Sequence, residues 1–145
     1  MPKVTGTHGA IIDFELRGVG PVIADLRRKG KDVANNVDLA VIKMGAYIEE
    51  EVKESIAGAR SETRSVDTGR LINSIEVKHI EDSHVIIAPK RMRYPGSKID
   101  TQQVATILEY GTSRISARRH FRNTEARNIK KVRKEIDKAV QQSVK

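Results

Sequence analysis

Four histidines are the first residues to weigh for chemistry: His8, His79, His84 and His120. None sits in an HExxH or HxH pattern, so a hydrolytic zinc site is not expected. With no cysteine in the chain, thiol catalysis, disulfides and Cys-ligated zinc are excluded. Glu49, Glu50, Glu51 and Glu54 form an acidic run, but no other ligand type lies at a helpful spacing. They read as a solvated helix face. Gly18-x-Gly20 runs straight into Pro21 and is too short for a nucleotide loop. GxSxG is absent, and no serine has a histidine and a carboxylate at a recognisable spacing. Triads need not be local, so an enzyme with a non-local site stays open as a rival. The expectation is no catalytic residue, no metal ligand and no cofactor.

Positive charge is the stronger signal. The chain of 145 residues carries a net +8. From Arg114 to Lys145 there are eleven Lys/Arg against three Asp/Glu, and residues 1–113 balance at sixteen of each sign. A neutral body therefore carries a basic terminal element. Arg118, Arg119, Arg122, Arg127, Lys130, Lys131, Arg133 and Lys134 are its candidate contact residues. Phosphate contacts through them would give salt-sensitive affinity. Only Phe121 is interleaved, so base stacking is not supported. Three readings stay open: a solvated face, an interface with acidic neighbours, and a nucleic-acid surface.

These residues need a scaffold, and the length suits one ordinary domain spanning residues 1–145. Aromatics are only 3% of the chain, so Val, Ile, Leu and Ala must build the core. No apolar run approaches the ~20 residues of a membrane helix, and the N-terminus has no signal-like apolar stretch. Ala10–Arg17 alternates apolar and polar residues and predicts a strand, ended by Gly18-Val19-Gly20-Pro21. A helical region follows from about Val22 to Ala57. Val33, Val37, Val41, Met44, Ile48, Val52 and Ile56 form its stripe, with Gly30 and Gly45 weakening it. A short helical turn begins near Asp67, with Asp67 or Thr68 as N-cap. Ile75–Ile80 and His84–Ala88 read as a hairpin, with His79 and His84 as exposed strand-end residues beside its turn. Pro89–Asp100 reads as a long loop. Thr101–Tyr110 reads as a helix capped by Asp100 or Thr101 and stopped at Gly111. The last helix runs from about Arg122 to Ser143, with Ile129, Val132, Ile136, Val140 and Val144 as its stripe.

Three stretches in this order carry a resemblance. They are Val66-Asp67-Thr68-Gly69-Arg70-Leu71-Ile72-Asn73-Ser74-Ile75, Val104-Ala105-Thr106-Ile107-Leu108-Glu109-Tyr110-Gly111-Thr112, and Arg119-His120-Phe121-Arg122. Together they resemble the neck and tail-completion proteins of tailed bacteriophages, the tail-component family of lambda-like phages. The likeness covers about residues 30–143. It departs at two places. Ser65-Val66 stands where the family often has a proline, and His120 stands where a proline usually precedes the phenylalanine.

The resemblance implies a virion protein at the head–tail junction. Copies would form a ring, six by tail symmetry or twelve as the second expectation. The ring would join the head connector to the tail terminator or tube, with DNA passing through its centre. It implies no cofactor. Asp67, Thr68, Gly69, Leu71, Ser74, Ile75, Glu109, Gly111, Thr112 and Phe121 are then structural motif residues. On the residues themselves, Leu71 and Ile75 should face the core and Phe121 should anchor the last helix. Lys90, Arg91, Arg93 and Tyr94 in the long loop are candidate intersubunit contacts, as is a flexible arm at Met1–Gly9. The expected fold is α+β, with a long helix and a C-terminal helix packed on a small, mainly antiparallel sheet. The main alternative function is nucleic-acid binding through the basic helix.

Overall fold

Aliphatic residues repeating every three or four positions make α1 a continuous helix from Lys31 to Ile56 in the computed structural model, which describes residues 12–15, 31–81 and 84–143. The expected arm at 1–9, the ends of the first strand and the helical region before Lys31 lie outside the described residues, as does Val144. Val37, Val41, Met44, Ile48, Val52 and Ile56 are all buried. The stripe read from the sequence is therefore the buried face of the helix, apart from Val33, whose side chain is not described. At ~1.5 Å per residue α1 spans roughly 39 Å.

β1 (Ile12–Glu15), β2 (Ile75–Glu81) and β3 (His84–Pro89) form an antiparallel sheet in the order β1-β3-β2. Ile12 pairs with Ile87, and Val77 pairs with Ile87 from the other side. The hairpin expected from sequence is present, one residue longer on each strand. Its register slips between His79 and Glu81, leaving Ile80 as an extra residue in β2. Gly45 explains how α1 lies so close to this sheet. A Cβ there would stand 3.1 Å from Val77 Cγ1 and 3.2 Å from Val85 Cγ2. The residue that weakens the helix locally is what brings it against the strands.

Between α1 and β2 sits α2 (Arg70–Ser74), one short turn of helix. Its N-cap is Gly69 at φ 81°, with no side-chain cap, so Asp67 and Thr68 do not cap it as expected. The left-handed backbone at the cap favours glycine over either oxygen-bearing residue. Thr68 Oγ1 instead accepts from Arg70 N at 3.3 Å in a local turn. Leu71 and Ile75 are buried in the core, as expected.

The stretch from Lys90 to Asp100 is more ordered than a long loop. Arg93 and Asp100 form an antiparallel bridge, and Tyr94 N donates to Ile99 O at 3.2 Å. Thr101, fully buried, clamps its base. Thr101 N donates to Met92 O, and Thr101 Oγ1 accepts from Met92 N and donates to Lys90 O. The turn carries Pro95-Gly96 at its tip. α3 (Thr101–Tyr110) follows, with Asp100 as N-cap in a full capping box with Gln103.

α4 (His120–Ser143) lies along α1 and covers its apolar face. Phe121, Val132 and Ile136 are buried in the shared core, so Phe121 anchors the helix as expected. Thr124 and Asn128 interrupt this stripe with buried polar groups. The fold is α+β: a long helix in the N-terminal half and a C-terminal helix packed on a small antiparallel sheet.

Candidate functional site

The last turn of α1, the following loop and the first turns of α4 meet at a buried polar joint. Glu62 sits at its centre, with its side chain only 1% exposed. Arg127 grips the carboxylate with two bonds, of 2.7 and 2.8 Å. Ser55 Oγ donates to it at 2.6 Å, Ser61 Oγ at 2.6 Å and Asn123 Nδ2 at 3.2 Å. Burial disfavours the charge, but these bonds outweigh it and bring the Glu62 pKa down to about 2.

His120 lies beside this carboxylate, 2% exposed. Its Nδ1 is 2.8 Å from Ser55 Oγ, and its Nε2 is 2.7 Å from Ser65 Oγ. The donors assign the tautomer. Ser55 spends its one proton on Glu62, so Nδ1 must carry a hydrogen and Nε2 must accept from Ser65. Arg118 completes the set by donating to Ser65 Oγ at 2.8 Å and to Arg64 O at 3.1 Å. Burial is the main reason the His120 pKa falls to about 4. The cations Arg118 and Arg127 push the same way, against Glu62.

The result is a relay, Ser65–His120–Ser55–Glu62, whose geometry would pass a proton. Its imidazole is too weak a base to take one from a serine near neutral pH. What the arrangement does well is hold three chain segments in one geometry. Sequence reasoning missed it because residues 55, 62, 65, 118, 120 and 127 share no local pattern. One signal was present: Ser65 and His120 are the two departures from the resembled motif, and they bond each other.

A second joint connects the motif stretches. The Glu109 carboxylate, at the end of α3, accepts from Phe121 N at 2.9 Å and Arg122 N at 3.1 Å. It thus caps the start of α4. Burial raises its pKa above the usual carboxylate range, and those two N–H bonds hold it back only in part. Gly111 ends α3 at φ 76°, and its N–H bonds Ile107 O at 2.7 Å. A Cβ at Gly111 would meet Ile115 O at 2.6 Å. Thr112 Oγ1 accepts from Arg114 N and Ile115 N to close the turn that follows. Arg119, just before α4, is the one non-glycine residue with positive φ among the described residues, at 54°. The motif residues therefore hold elements together. Ser74, also buried, donates through its hydroxyl to Leu71 O, and its carbonyl accepts from Lys90 N.

The basic candidates divide. Arg118 and Arg127 are committed to the polar joint. Lys131 lies 4.0 Å over the Tyr47 ring, a cation–π contact with α1. Arg119, Arg122, Lys130, Arg133 and Lys134 are exposed. Lys130, Arg133, Lys134 and Lys138 line a shallow groove with Asp137 and Gln141.

The loop candidates divide too. Lys90, Arg91 and Arg93 are exposed, and Arg91 pairs with Asp100 at 2.8 Å. Tyr94 turns inward. With Val66, Leu71, Ile72, Ile99 and Val104 it walls a cleft of about 290 Å³, which Ser65, Asp67, Thr68, Gly69, Arg70 and Ser97 also line. The motif around Asp67-Thr68-Gly69 and the expected contact loop thus face one another across it. Among the described residues, no cluster of His, Asp or Glu could hold a metal ion, and no helix is long and apolar enough to cross a membrane.

No family model matches the chain, and no curated protein and no solved structure matches it.

Proposed function

We propose that this chain is a structural subunit of the head–tail junction of a tailed-phage virion, forming a ring that joins connector to tail around the passing DNA. The observation that carries the reading is the use made of the resembled residues. Glu109 caps the helix that Phe121 anchors, Gly69 and Gly111 hold positive φ, and Leu71 and Ile75 fill the core. Each serves the fold, and none is placed as a reagent. Such a protein works through its outer surfaces. A chain built this way offers two: the exposed basic side of α4 and the cleft between the Asp67–Gly69 motif and the loop.

Electron microscopy of the purified chain, alone and mixed with isolated connectors, tests the reading. Rings of six or twelve copies are the expected result. Monomers in both samples count against it.

The groove on α4 favours a second reading, polyanion binding. No acid is ion-paired to Lys130, Arg133, Lys134 or Lys138 among the described residues. Duplex affinity measured against salt separates the two. The ring subunit should bind unrelated duplexes negligibly at ~0.15 M salt, whereas a nucleic-acid-binding protein should show a steep salt slope.

A further inference from the structure

The outer side of α4 gathers Lys130, Arg133, Lys134 and Lys138 along one shallow groove, with Asp137 and Gln141 as its other lining residues. All four cations are exposed, and none has an ion-pair partner among the described residues. Cations in the lining outnumber acids four to one.

Helix geometry sets their spacing. Lys130 and Lys138 stand roughly 12 Å apart along the axis, at ~1.5 Å per residue. Four cations in that length come to one per about 3–4 Å. One strand of a duplex carries a phosphate per ~3.4 Å of its axis. The two linear charge densities match.

Other anionic partners fit this side less well. Phe121 is the one aromatic side chain of Phe, Tyr or Trp type in α4, and it is buried, so unpaired bases find no ring to stack on. A helix that lies on a membrane inserts its apolar side, and that side of α4 is packed in the core through Val132 and Ile136. An acidic protein surface would need several unneutralised carboxylates in the same length. A second copy does not offer them in its densest acidic stretch, where Glu49 pairs with Lys53 and Glu51 with Arg60.

We infer that this groove takes the phosphate backbone of duplex nucleic acid, without regard to sequence, with Lys130, Arg133, Lys134 and Lys138 each meeting a phosphate. The inference rests on the polyanion reading of α4 and does not depend on the ring. Four contacts give a slope of log K against log salt of about −3.6, so binding weakens roughly 50-fold between ~0.05 and ~0.15 M salt. A single copy therefore binds little duplex at the higher salt, whereas copies held in a ring would engage one duplex together.

Fluorescence anisotropy of the full chain with a short labelled duplex of arbitrary sequence, run from ~0.02 to ~0.15 M salt, tests this. Saturable binding at ~0.05 M is expected, with a slope between about −3 and −4 and the same affinity for an unrelated duplex. Lys130→Gln/Arg133→Gln/Lys134→Gln/Lys138→Gln should weaken binding at least about tenfold and flatten the slope, and each single replacement should reduce the slope by about 0.9. The control Lys90→Gln/Arg93→Gln/Lys98→Gln/Arg114→Gln removes the same charge from exposed positions off α4. It should change affinity by less than about threefold, because distant charges are screened. Circular dichroism checks that every variant is folded, and the single replacements lie at exposed positions where little stability is at stake.

A control set that weakens binding as much as the groove set overturns the inference and keeps the polyanion reading. Tighter binding to single strands, or to vesicles of anionic lipid, does the same. Absence of saturable duplex binding at ~0.05 M salt, with none to single strands or vesicles, defeats both.

Discussion

Two ends of one helix use the same residue types for opposite purposes. At the start of α4, Arg127 and the preceding Arg118 are drawn inward onto Glu62 and Ser65. Further along, Lys130, Arg133 and Lys134 point outward. By sequence both parts of the segment are net basic. Its roles are set by what the opposing surface supplies: Glu62 and Ser65 face the first part, and solvent faces the second. Charge density thus says where cations are, and only the opposing surface says which are already committed.

Removing the acid from the joint should break this contrast most severely. Glu62→Ala takes the shared buried acceptor from Ser55, Ser61, Asn123 and the part-exposed Arg127, a combined loss of about 3–5 kcal/mol. We expect a fall in melting temperature of roughly 10–15 °C by calorimetry. A change within 2 °C would mean that Arg127 is as free as Lys130.

Acid should open the same joint. Unfolded, His120 takes a proton near 6.5, whereas folded it does so only near 4. The unfolded chain therefore binds more protons between those values, and stability falls as pH falls through that window. The loss is about 3 kcal/mol, complete below pH 4. Glu62 adds a second loss between 4.5 and about 2, where its folded carboxylate finally protonates. His120→Gln should flatten the first slope in urea titrations run across pH and leave the second. An unchanged slope would show that His120 is not the group responsible. The joint can also accommodate the proton locally, since the Ser65 hydroxyl lies 3.0 Å from Thr63 O and can turn to it from Nε2.

Ser65→Ala is a gentler cut. It leaves His120 Nε2 and one Arg118 N–H without a partner, at a cost of about 1–2 kcal/mol in chemical denaturation.

On the outer face, Lys130→Glu, Arg133→Glu and Lys134→Glu should each move stability by no more than about 0.5 kcal/mol. Combined, they test the proposed ring subunit, for which impaired assembly or infectivity is the expected result. Normal assembly and titre would show that this face is only solvated. A large loss of stability from them would erase the contrast itself.

Much of this scaffold was legible because it is local. The α1 stripe, the β2–β3 hairpin and the Asp100 cap depend on residues within a few positions of one another. The pairing of β1 with β3 was not, because about seventy residues separate the strands and loop closure leaves no sequence trace. Asp67 and Thr68 were good cap types defeated by the left-handed backbone of Gly69. The loop from Pro89 looked open because prolines and charges hide what Thr101 ties together. Of the functional features, the basic helix was readable as composition, but the partners of Arg118 and Arg127 were not. The polar joint had only the odd placement of Ser65 and His120 to announce it.

The cover that α4 gives α1 has a consequence for the nascent chain. α1 ends at Ile56, and α4 runs to Ser143. At a synthesis rate of ~5–20 residues per second, α1 waits on the order of 5–18 s for its partner helix. Through that interval the side of α1 that α4 later covers is bare, and other copies being made nearby carry the same bare stripe. Slowing translation between residues 56 and 120 should therefore raise the insoluble fraction, whereas the same slowing before residue 31, ahead of α1, should not.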